Sequence, residues 1–152
     1  VETCSQFIKK LFALTVSRFE SITANPEASF DEKVILVYGI SKLRDLLESD
    51  DRDRVDLILE NGSIDLNMHF ILTDSVAELS NVAFELWYRN HLGNNNGIWI
   101  GDGVMGQTRI QIENKRNELE KGLNQNGAYV IINGIATPIK IPKLRKEDVA
   151  NE

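Results

Sequence analysis

Cysteine is almost absent from this chain of 152 residues, and the single one, Cys4, cannot form an internal disulfide. A disulfide framework is therefore excluded, and a reducing compartment fits best. Cys4 lies in a helical apolar pattern, which predicts a buried thiol. No run of residues approaches the roughly 20 consecutive apolar positions of a membrane-spanning helix, and no signal-peptide pattern opens the chain, so we expect a soluble domain.

Basic residues are also in the minority. Lysine and arginine number 17 against 23 aspartates and glutamates, which gives a formal net charge of −6. Because no positive excess can neutralise phosphates, the composition argues against nucleic-acid binding and against direct insertion into an anionic membrane. The hydrophobic content of 42% suits one core. We predict one domain over residues 1–143 and a flexible tail over 144–152, where apolar residues are scarce.

The common catalytic signatures are missing. The sequence contains no G-x-x-x-x-G-K-[ST], H-E-x-x-H, C-x-x-C or G-x-S-x-G, which removes the usual nucleotide, zinc and hydrolase motifs. His69 lies in a predicted buried strand and is interpreted as a core residue, and His91 as a surface cap at a helix end. The acidic cluster at 50–56 is interleaved with Arg52 and Arg54, which indicates a solvated helix start rather than a metal site. No catalytic residue and no metal ligand is predicted.

Helices alternate with short apolar strands along most of the chain. Periodicity predicts helices over about 3–24, from Ser41 through Leu47, from Ser49 or Asp50 to Asn61, and from Asp74 or Ser75 to Leu79. Strands are predicted over 34–37, 68–72 and 98–100, with a hairpin over 128–133 and 139–141. The first two strands have the composition of strands buried on both faces. Residues 82–92 fit a helix or an extended segment. This order predicts an α/β fold with a mostly parallel sheet flanked by helices and a C-terminal β-hairpin.

The stretch GIWIGDGVMGQTRIQI contains a G-x-G-x-x-G pattern, at Gly101, Gly103 and Gly106. In a dinucleotide site these glycines lead directly into a helix whose amides face the pyrophosphate. Here residues 107–112 alternate polar and apolar side chains, which predicts a strand, and the next helical pattern, 116–123, begins too late. A glycine turn between two strands is therefore favoured over a phosphate site.

The order of the segments resembles a known family. The segments KVILVYGISKL, MHFILTDS, FELWYRNHLGNNNGIWIGDGVMGQTRIQI and GAYVIINGIATPIKIPKL are similar to the distal part of the C-terminal, third ATPase-like domain of the FtsK/SpoIIIE-type EssC motor of Gram-positive type VII secretion. The most specific piece spans 84–107 and includes a family-like loop with Trp99, Gly101, Gly103 and Gln107. The resemblance implies a partial P-loop (RecA/FtsK-like) fold whose P-loop lies upstream of Val1.

The resemblance also assigns two positions of the nucleotide site. Residues 33–37 would form the Walker B strand, which normally ends in acidic residues that hold Mg²⁺ and orient the attacking water. Tyr38 and Gly39 stand there instead, so the Walker B position is degenerate. Thr73 and Asp74 would occupy the sensor position, where a polar residue can respond to a γ-phosphate. For Asp74, an N-cap role is an equal alternative.

These assignments imply a non-catalytic substrate-recognition or coupling module of a type VII secretion ATPase. The alternative is a nucleotide-hydrolysing half of an active P-loop ATPase. The resemblance implies that these residues alone bind no cofactor. ATP with Mg²⁺ could bind only to the complete domain. The expected partners are the other ATPase domains of the motor and secreted proteins of the WXG100 and LXG kinds, on the cytoplasmic side of a membrane complex. A small-molecule enzyme that uses the glycine loop, and a purely structural domain, remain as two further hypotheses.

Overall fold

A computed structural model describes residues 3–62, 64–92, 95–114, 119, 123 and 126–142 of the chain. The chain divides into two compact units, Val1–Leu92 and Gly93–Glu152, called here the first and second unit. Both contain helical turns and strands, so the mixed α/β architecture is confirmed. The interpretation of 1–143 as one ATPase-like domain stays a prediction. The tail 144–152, and the predicted helix 116–123 apart from residues 119 and 123, lie outside the described residues.

The first helix, α1 (Cys4–Ala24), begins with a capping box. The Thr3 side chain accepts a hydrogen bond from the Gln6 amide, and the Gln6 side chain accepts one from the Thr3 amide. These two bonds satisfy amides that have no partner inside the helix, and the predicted helix over 3–24 is confirmed. Cys4 is exposed rather than buried, because it lies in the first turn, ahead of the buried positions that begin at Ile8.

Two strands and three further α-helices follow α1 among the described residues of the first unit. In chain order they are β1 (Lys33–Tyr38), α2 (Ile40–Leu46), α3 (Ser49–Asn61), β2 (Met68–Thr73) and α4 (Val76–Val82), with a 3₁₀ turn at Ile64–Leu66 and a π-helical turn at Tyr88–Leu92. The strands β1 and β2 pair in parallel, joined by a crossover that contains α2 and α3. The predicted Ser41 cap of α2 is wrong, because the helix starts directly after Gly39. Of the two caps predicted for α4, Asp74 and Ser75, the structure has Ser75.

Among the described residues of the first unit, helices pack on one face of the β1–β2 sheet. Ile35 is buried, and Val37, Phe70 and Leu72 pack on the cores of the first unit. The core residues of the larger cluster are Ile8, Ile40, Leu47, Val55, Ile58, Val82 and Trp87. The alternate positions of β1, such as Leu36, are exposed. The prediction of strands buried on both faces is therefore wrong for the outer side, because the described helices of this unit pack on the side of Ile35.

The second unit is built on an antiparallel sheet. Its strands are β3 (Gly97–Ile100), β4 (Gly127–Ile132) and β5 (Ile135–Lys140), in the order β3-β4-β5. The predicted hairpin is confirmed, and its turn residues Asn133 and Gly134 both have positive φ, as a type I′ turn requires. Pro138 lies in β5, an edge strand of the sheet, opposite Tyr129.

Two predictions are corrected in the second unit. Strand β3 does not join a parallel sheet, because it pairs antiparallel with β4. Residues 107–112 form bends and not a strand, because the backbone amides of Arg109 and Ile110 donate hydrogen bonds to the side chain of Gln107. The apolar positions of this segment still pack inward, with Ile110 and Ile112 against the core around Tyr129.

Candidate functional site

The carboxyl ends of β1 and β2 bring the two predicted nucleotide-site positions together. Tyr38 and Thr73 are register partners at the last step of the parallel ladder. The ladder continues beyond the strands, because the Gly39 amide donates to the Thr73 carbonyl at 2.8 Å. In parallel α/β sheets, ligands bind at this end of the strands. The two predicted positions, Tyr38 with Gly39 and Thr73 with Asp74, are thus immediate neighbours in the first unit.

No carboxylate follows β1. The side chain of Tyr38 is 92% exposed, and Gly39 takes φ 72° and ψ 59° as it enters α2. A Cβ at Gly39 would meet no atom within 4 Å, so the positive φ, rather than lack of space, favours glycine there. An acidic residue at position 39 would have to adopt this left-handed conformation. The geometry therefore agrees with a turn that starts a helix and not with a pair of Mg²⁺ ligands.

The Asp74 carboxylate joins the beginnings of two helices. Its Oδ2 accepts the Ser41 amide of α2 and its Oδ1 accepts the Ser75 amide that precedes α4, both at 2.8 Å. The buried Ser41 hydroxyl donates to the Glu78 carbonyl at 3.0 Å. The Thr73 hydroxyl donates to the Val37 carbonyl at 3.4 Å. The side chains of Thr73 and Asp74 are thus already engaged with the protein's own backbone.

These contacts keep Asp74 ionised. Burial alone would raise the pKa of Asp74, but the hydrogen bonds from Ser41 and Ser75, with the nearby Lys42 charge, outweigh it and lower the pKa below the ordinary value of 3.8. An ionised carboxylate also suits the positive ends of the helix dipoles at α2 and α4. Asp74 is consequently a charged cap at neutral pH.

The lowered pKa of Asp74 predicts a loss of stability in acid. A group with a lower pKa in the folded state stabilises the fold above its unfolded pKa, and this contribution disappears as the pH falls through the folded value. We expect Asp74→Asn to lower the free energy of unfolding by about 1–2 kcal/mol at pH 7 and to have little effect well below pH 3.8. Urea denaturation across this pH range measures the difference.

The exposed Asp53, on α3, provides the matched control for this acid dependence. Asp53→Asn should change the free energy of unfolding by less than about 0.5 kcal/mol at either pH. If Asp74→Asn lowered the free energy of unfolding by the same amount at both ends of the pH range, the role of the Asp74 charge would be contradicted. A purely steric effect of the substitution would not depend on pH.

One member of the acidic cluster predicted to be solvated is buried. The Asp51 carboxylate accepts a hydrogen bond from the Ser5 hydroxyl and forms an ion pair with Arg54 at 2.6 Å. The Ser5 hydrogen bond is the main cause of a lowered Asp51 pKa; burial opposes it and Arg54 supports it. Asp51 therefore ties α3 to α1. The prediction was wrong here because the partner on α1 lies 46 residues away in the sequence.

The histidine predictions have different outcomes. His69 is not a core residue, because its ring is partly exposed, with Nε2 at 3.4 Å from Glu32 Oε1 and at 3.3 Å from Asn67 Oδ1. It lies on the uncovered face of β2, which explains the difference. The side chain of His91 lies outside the described residues.

Two buried arginines were missed by sequence reasoning. Arg44 of α2 forms ion pairs with Asp56 and with Glu85, the latter at 3.3 Å, and its guanidinium lies 5.6 Å from the centroid of the Trp87 ring. Burial lowers the pKa of Arg44, and the Glu85 carboxylate opposes this shift. Arg18 of α1 donates to the carbonyls of Leu66 and Asp31. Both arginines fall at helical spacing among apolar residues, a signal that could have identified them.

The glycine loop belongs to the second unit. Gly101 and Gly103 have φ values of 91° and 85°, so glycine supplies positive φ here as predicted, although residues 107–112 do not form the second strand of the predicted turn. The Trp99 Nε1 group donates to the Asp102 carbonyl at 3.1 Å. Gln107 Oε1 accepts the amides of Arg109 and Ile110 at 2.6 and 2.7 Å. The four residues Trp99, Gly101, Gly103 and Gln107 therefore stabilise the loop's own conformation, through side-chain hydrogen bonds or positive φ.

The same loop offers little to a phosphate. The helical turn after Gly103 spans only Val104–Gly106, which is too short to concentrate a helix dipole. The adjoining open cleft, of about 320 Å³, is lined by uncharged side chains, which are Val104, Met105, Gln107, Thr108, Ile110, Gln111 and Ile112. This agrees with the structural interpretation of the G-x-G-x-x-G pattern.

The described residues show no metal-binding group, and the comparisons with known proteins found no match. Within the part of the chain that the structure describes, no group of three or more histidine, cysteine, aspartate or glutamate side chains could hold a metal ion. Among the same residues, no helix combines the length and apolar character needed to cross a membrane. No protein-family model, curated protein or solved structure matches this chain.

Proposed function

We propose that this chain is a non-catalytic recognition or coupling module of a FtsK/SpoIIIE-type motor of type VII secretion. In this proposal the β1–α2–α3–β2 unit is the distal part of a P-loop (RecA/FtsK-like) domain. The parallel pairing of β1 with β2 across a helical crossover supports that fold. The resemblance of the sequence segments supports the family.

The observation that carries the proposal is the chemistry at the carboxyl end of the parallel strands. An active site for phosphoryl transfer needs an acidic residue there to position Mg²⁺ and water. Tyr38 and Gly39 supply neither, and the Asp74 carboxylate is held by two backbone amides. A domain that retains this architecture without the reacting groups can still bind partners and transmit conformational changes.

The alternative function is the hydrolysing half of an active P-loop ATPase whose P-loop lies upstream of Val1. Asp74 is the observation that favours it, because an ionised carboxylate lies one residue beyond β2 at the ligand-binding edge. Release of Asp74 from the Ser41 and Ser75 amides would be required before it could ligate Mg²⁺ or orient water. That requirement makes this alternative the weaker of the two.

The proposed partners follow from the proposed family. They are the neighbouring ATPase domains of the same motor and secreted proteins of the WXG100 and LXG kinds, met on the cytoplasmic side of the secretion complex. The net charge of −6 agrees with protein partners rather than nucleic acid. No cofactor is proposed for these residues, and binding of ATP with Mg²⁺ is tested on the complete domain.

Calorimetric titration of ATP with Mg²⁺ into the complete domain, extended upstream of Val1, tests the proposal. We expect a dissociation constant weaker than about 1 mM, which corresponds to a binding free energy of about −4 kcal/mol, and no phosphate release. Tyr38→Asp restores a carboxylate at the Walker B position, and Tyr38→Asn is its uncharged control. Any gain in affinity is expected only from Tyr38→Asp, because only that variant adds an anionic ligand for Mg²⁺.

Saturable micromolar binding with turnover in the unmodified domain would reject the non-catalytic proposal and favour the alternative. In that case Asp74→Asn would be expected to abolish turnover, while Asp53→Asn would not.

A further inference from the structure

Asparagine is followed by glycine at four places in this chain. The pairs are Asn61-Gly62, Asn96-Gly97, Asn126-Gly127 and Asn133-Gly134. Asparagine is a chemically labile residue, because the backbone nitrogen of the next residue can attack its side-chain amide. Glycine has no Cβ to hinder that attack, so an Asn-Gly pair reacts faster than other asparagine pairs in an unfolded chain. In a folded chain, hydrogen bonds determine which pairs can react.

Two of the four glycine amides are already engaged. Gly62 donates to the Ile58 carbonyl at 2.6 Å, and Gly134 donates to the Asn95 carbonyl at 2.7 Å. Gly134 is also enclosed, because a Cβ added there would lie 2.9 Å from the side chain of Glu113. Each nitrogen would have to leave its acceptor before it could attack, so the fold protects the asparagines that precede these two glycines.

A third pair is protected through its asparagine side chain. Asn96 Oδ1 accepts the backbone amide of Asn133 at 2.9 Å, and Asn96 Nδ2 donates to Asn95 Oδ1 at 2.8 Å. These two bonds hold both polar atoms of the side-chain amide. The Cγ atom of Asn96 can therefore reach the Gly97 nitrogen only after both bonds break.

The remaining pair, Asn126-Gly127, lacks both kinds of protection. The Asn126 side chain is exposed and makes no hydrogen bond within the part of the chain that the structure describes. Gly101, directly after β3, donates to the Gly127 carbonyl at 3.4 Å, but the return bond from the Gly127 amide to the Gly101 carbonyl is not formed. The nucleophilic nitrogen and the side chain that it attacks are thus not held by these contacts.

The backbone around Asn126 is held at the open end of a hairpin. The Ile141 amide donates to the Asn126 carbonyl at 2.8 Å, where β4 begins and β5 has just ended. Asn126 has a left-handed conformation, with φ 66°, which residues other than glycine leave readily when their backbone contacts break. Hydrogen bonds at the end of a sheet open at a lower free-energy cost than those in its middle. Local opening therefore allows the Asn126-Gly127 peptide to rotate into a reactive arrangement.

We propose that Asn126 is a site of spontaneous deamidation in the folded protein. The Gly127 nitrogen loses its proton to solvent and attacks Asn126 Cγ, so that a C–N bond forms. The bond between Cγ and Nδ2 breaks, and the side-chain nitrogen takes up a proton and leaves as ammonia. Water then opens the cyclic imide at either carbonyl. The products are aspartate and isoaspartate, in which the main chain runs through the former side chain.

The modification changes the open end of the β4–β5 hairpin. Both products place a negative charge close to Lys140, the register partner of Gly127. Isoaspartate also adds a CH₂ group to the main chain directly before β4, which displaces the carbonyl that accepts the Ile141 amide. We expect the isoaspartate form to lose this hydrogen bond, whereas the Asn133-Gly134 turn at the other end of the hairpin stays intact.

Peptide mapping by mass spectrometry, after incubation of the intact chain in mildly alkaline buffer, tests this proposal. Heavy-oxygen water in the incubation labels each site that reacts there and separates it from reaction during digestion. In urea, all four asparagines should react at similar rates, because no contact protects them. In the folded chain, Asn126 should react at least about tenfold faster than Asn61, Asn96 and Asn133, since opening at the end of a sheet costs less than unfolding.

Two variants serve as matched controls. Gly127→Ala leaves Asn126 in place and adds a Cβ beside the attacking nitrogen, so the reaction should slow by about tenfold. Asn126→Gln keeps the side-chain amide but would have to close a larger ring, so modification at this position should disappear. Hydrogen exchange of the Ile141 amide should become faster during incubation of the unmodified chain and stay constant in Asn126→Gln.

Equal rates at Asn126 and at any of the other three asparagines in the folded chain would overturn the proposal, because local contacts would then not select the site. Reaction at Asn126 in urea but not in the folded chain would overturn it as well. No partner or nucleotide takes part in this reaction, so its outcome is independent of the proposed function.

Discussion

Replacement of Arg44 by methionine is expected to lower the free energy of unfolding by about 3 kcal/mol. The buried guanidinium holds Asp56 and Glu85 and stacks over the Trp87 ring. Removal of one partner of a buried ion pair leaves the others without compensation for their lost hydration, which costs far more than loss of a surface pair. Methionine preserves much of the side-chain volume, so the loss reports mainly on charge and hydrogen bonding.

Urea denaturation of Arg44→Met beside Arg89→Met measures this effect. Arg89 is exposed in the same unit, and its substitution should change stability by less than about 0.5 kcal/mol. A double-mutant cycle with Asp56→Asn should give a coupling energy above about 1 kcal/mol. Equal stability changes at positions 44 and 89 would contradict a structural role for the Arg44 cluster.

Truncation of Trp87 should be even more costly, at about 4 kcal/mol for Trp87→Ala. Trp87 is among the largest fully buried side chains of the described residues. It packs edge-on against Tyr88, with ring centroids 5.8 Å apart. Alanine would leave a cavity in the core of the first unit and would remove the aromatic face beneath Arg44.

Trp87→Phe should cost much less, at about 1 kcal/mol. Among the described residues, the Trp87 Nε1 group is a buried donor without a hydrogen-bond partner. Phenylalanine removes this donor, and an unsatisfied buried group costs about 1–3 kcal/mol, so the gain offsets part of the lost packing. Thermal and urea unfolding of both variants check the difference. A Trp87→Phe loss as large as that of Trp87→Ala would mean that Nε1 has a stabilising partner.

The regular elements of the first unit were largely predictable because they depend on local patterns. The apolar repeat of α1 and the β-branched run before Tyr38 fix a helix and a strand without information from distant residues. The Asn133-Gly134 pair likewise determines its own hairpin turn. Strand pairing was less predictable: β3 is too short to show its direction, and its antiparallel partner β4 lies far along the chain.

Side-chain capping explains the error at residues 107–112. The alternation of polar and apolar residues fits a strand. However, the side-chain oxygen of Gln107 accepts hydrogen bonds from the backbone amides of Arg109 and Ile110, so these amides do not need a neighbouring strand. An alternating pattern of polar and apolar residues predicts which side chains point inward. It does not predict which groups the backbone amides and carbonyls bind.

The candidate site could be located but not fully understood from sequence. Residues that follow two parallel strands meet at one edge, so the proximity of Gly39 to Thr73 could be expected. The double role of Asp74 could not, because its second amide belongs to Ser41, 33 residues earlier. The burial of Arg44 and Asp51 could not be predicted either, because it depends on partners from other helices. A charged side chain is buried only where an opposite charge or hydrogen bonds compensate for its lost hydration.

The proline in β5 limits how far its sheet can grow. Pro138 has no backbone N–H, so the outer edge of β5 lacks a donor there that an incoming strand would need, and Lys140 adds charge close to it. The Asn114 side chain already binds the amide and the carbonyl of Ala136 on the same strand. Strand-by-strand stacking of separate molecules through this edge is thereby disfavoured.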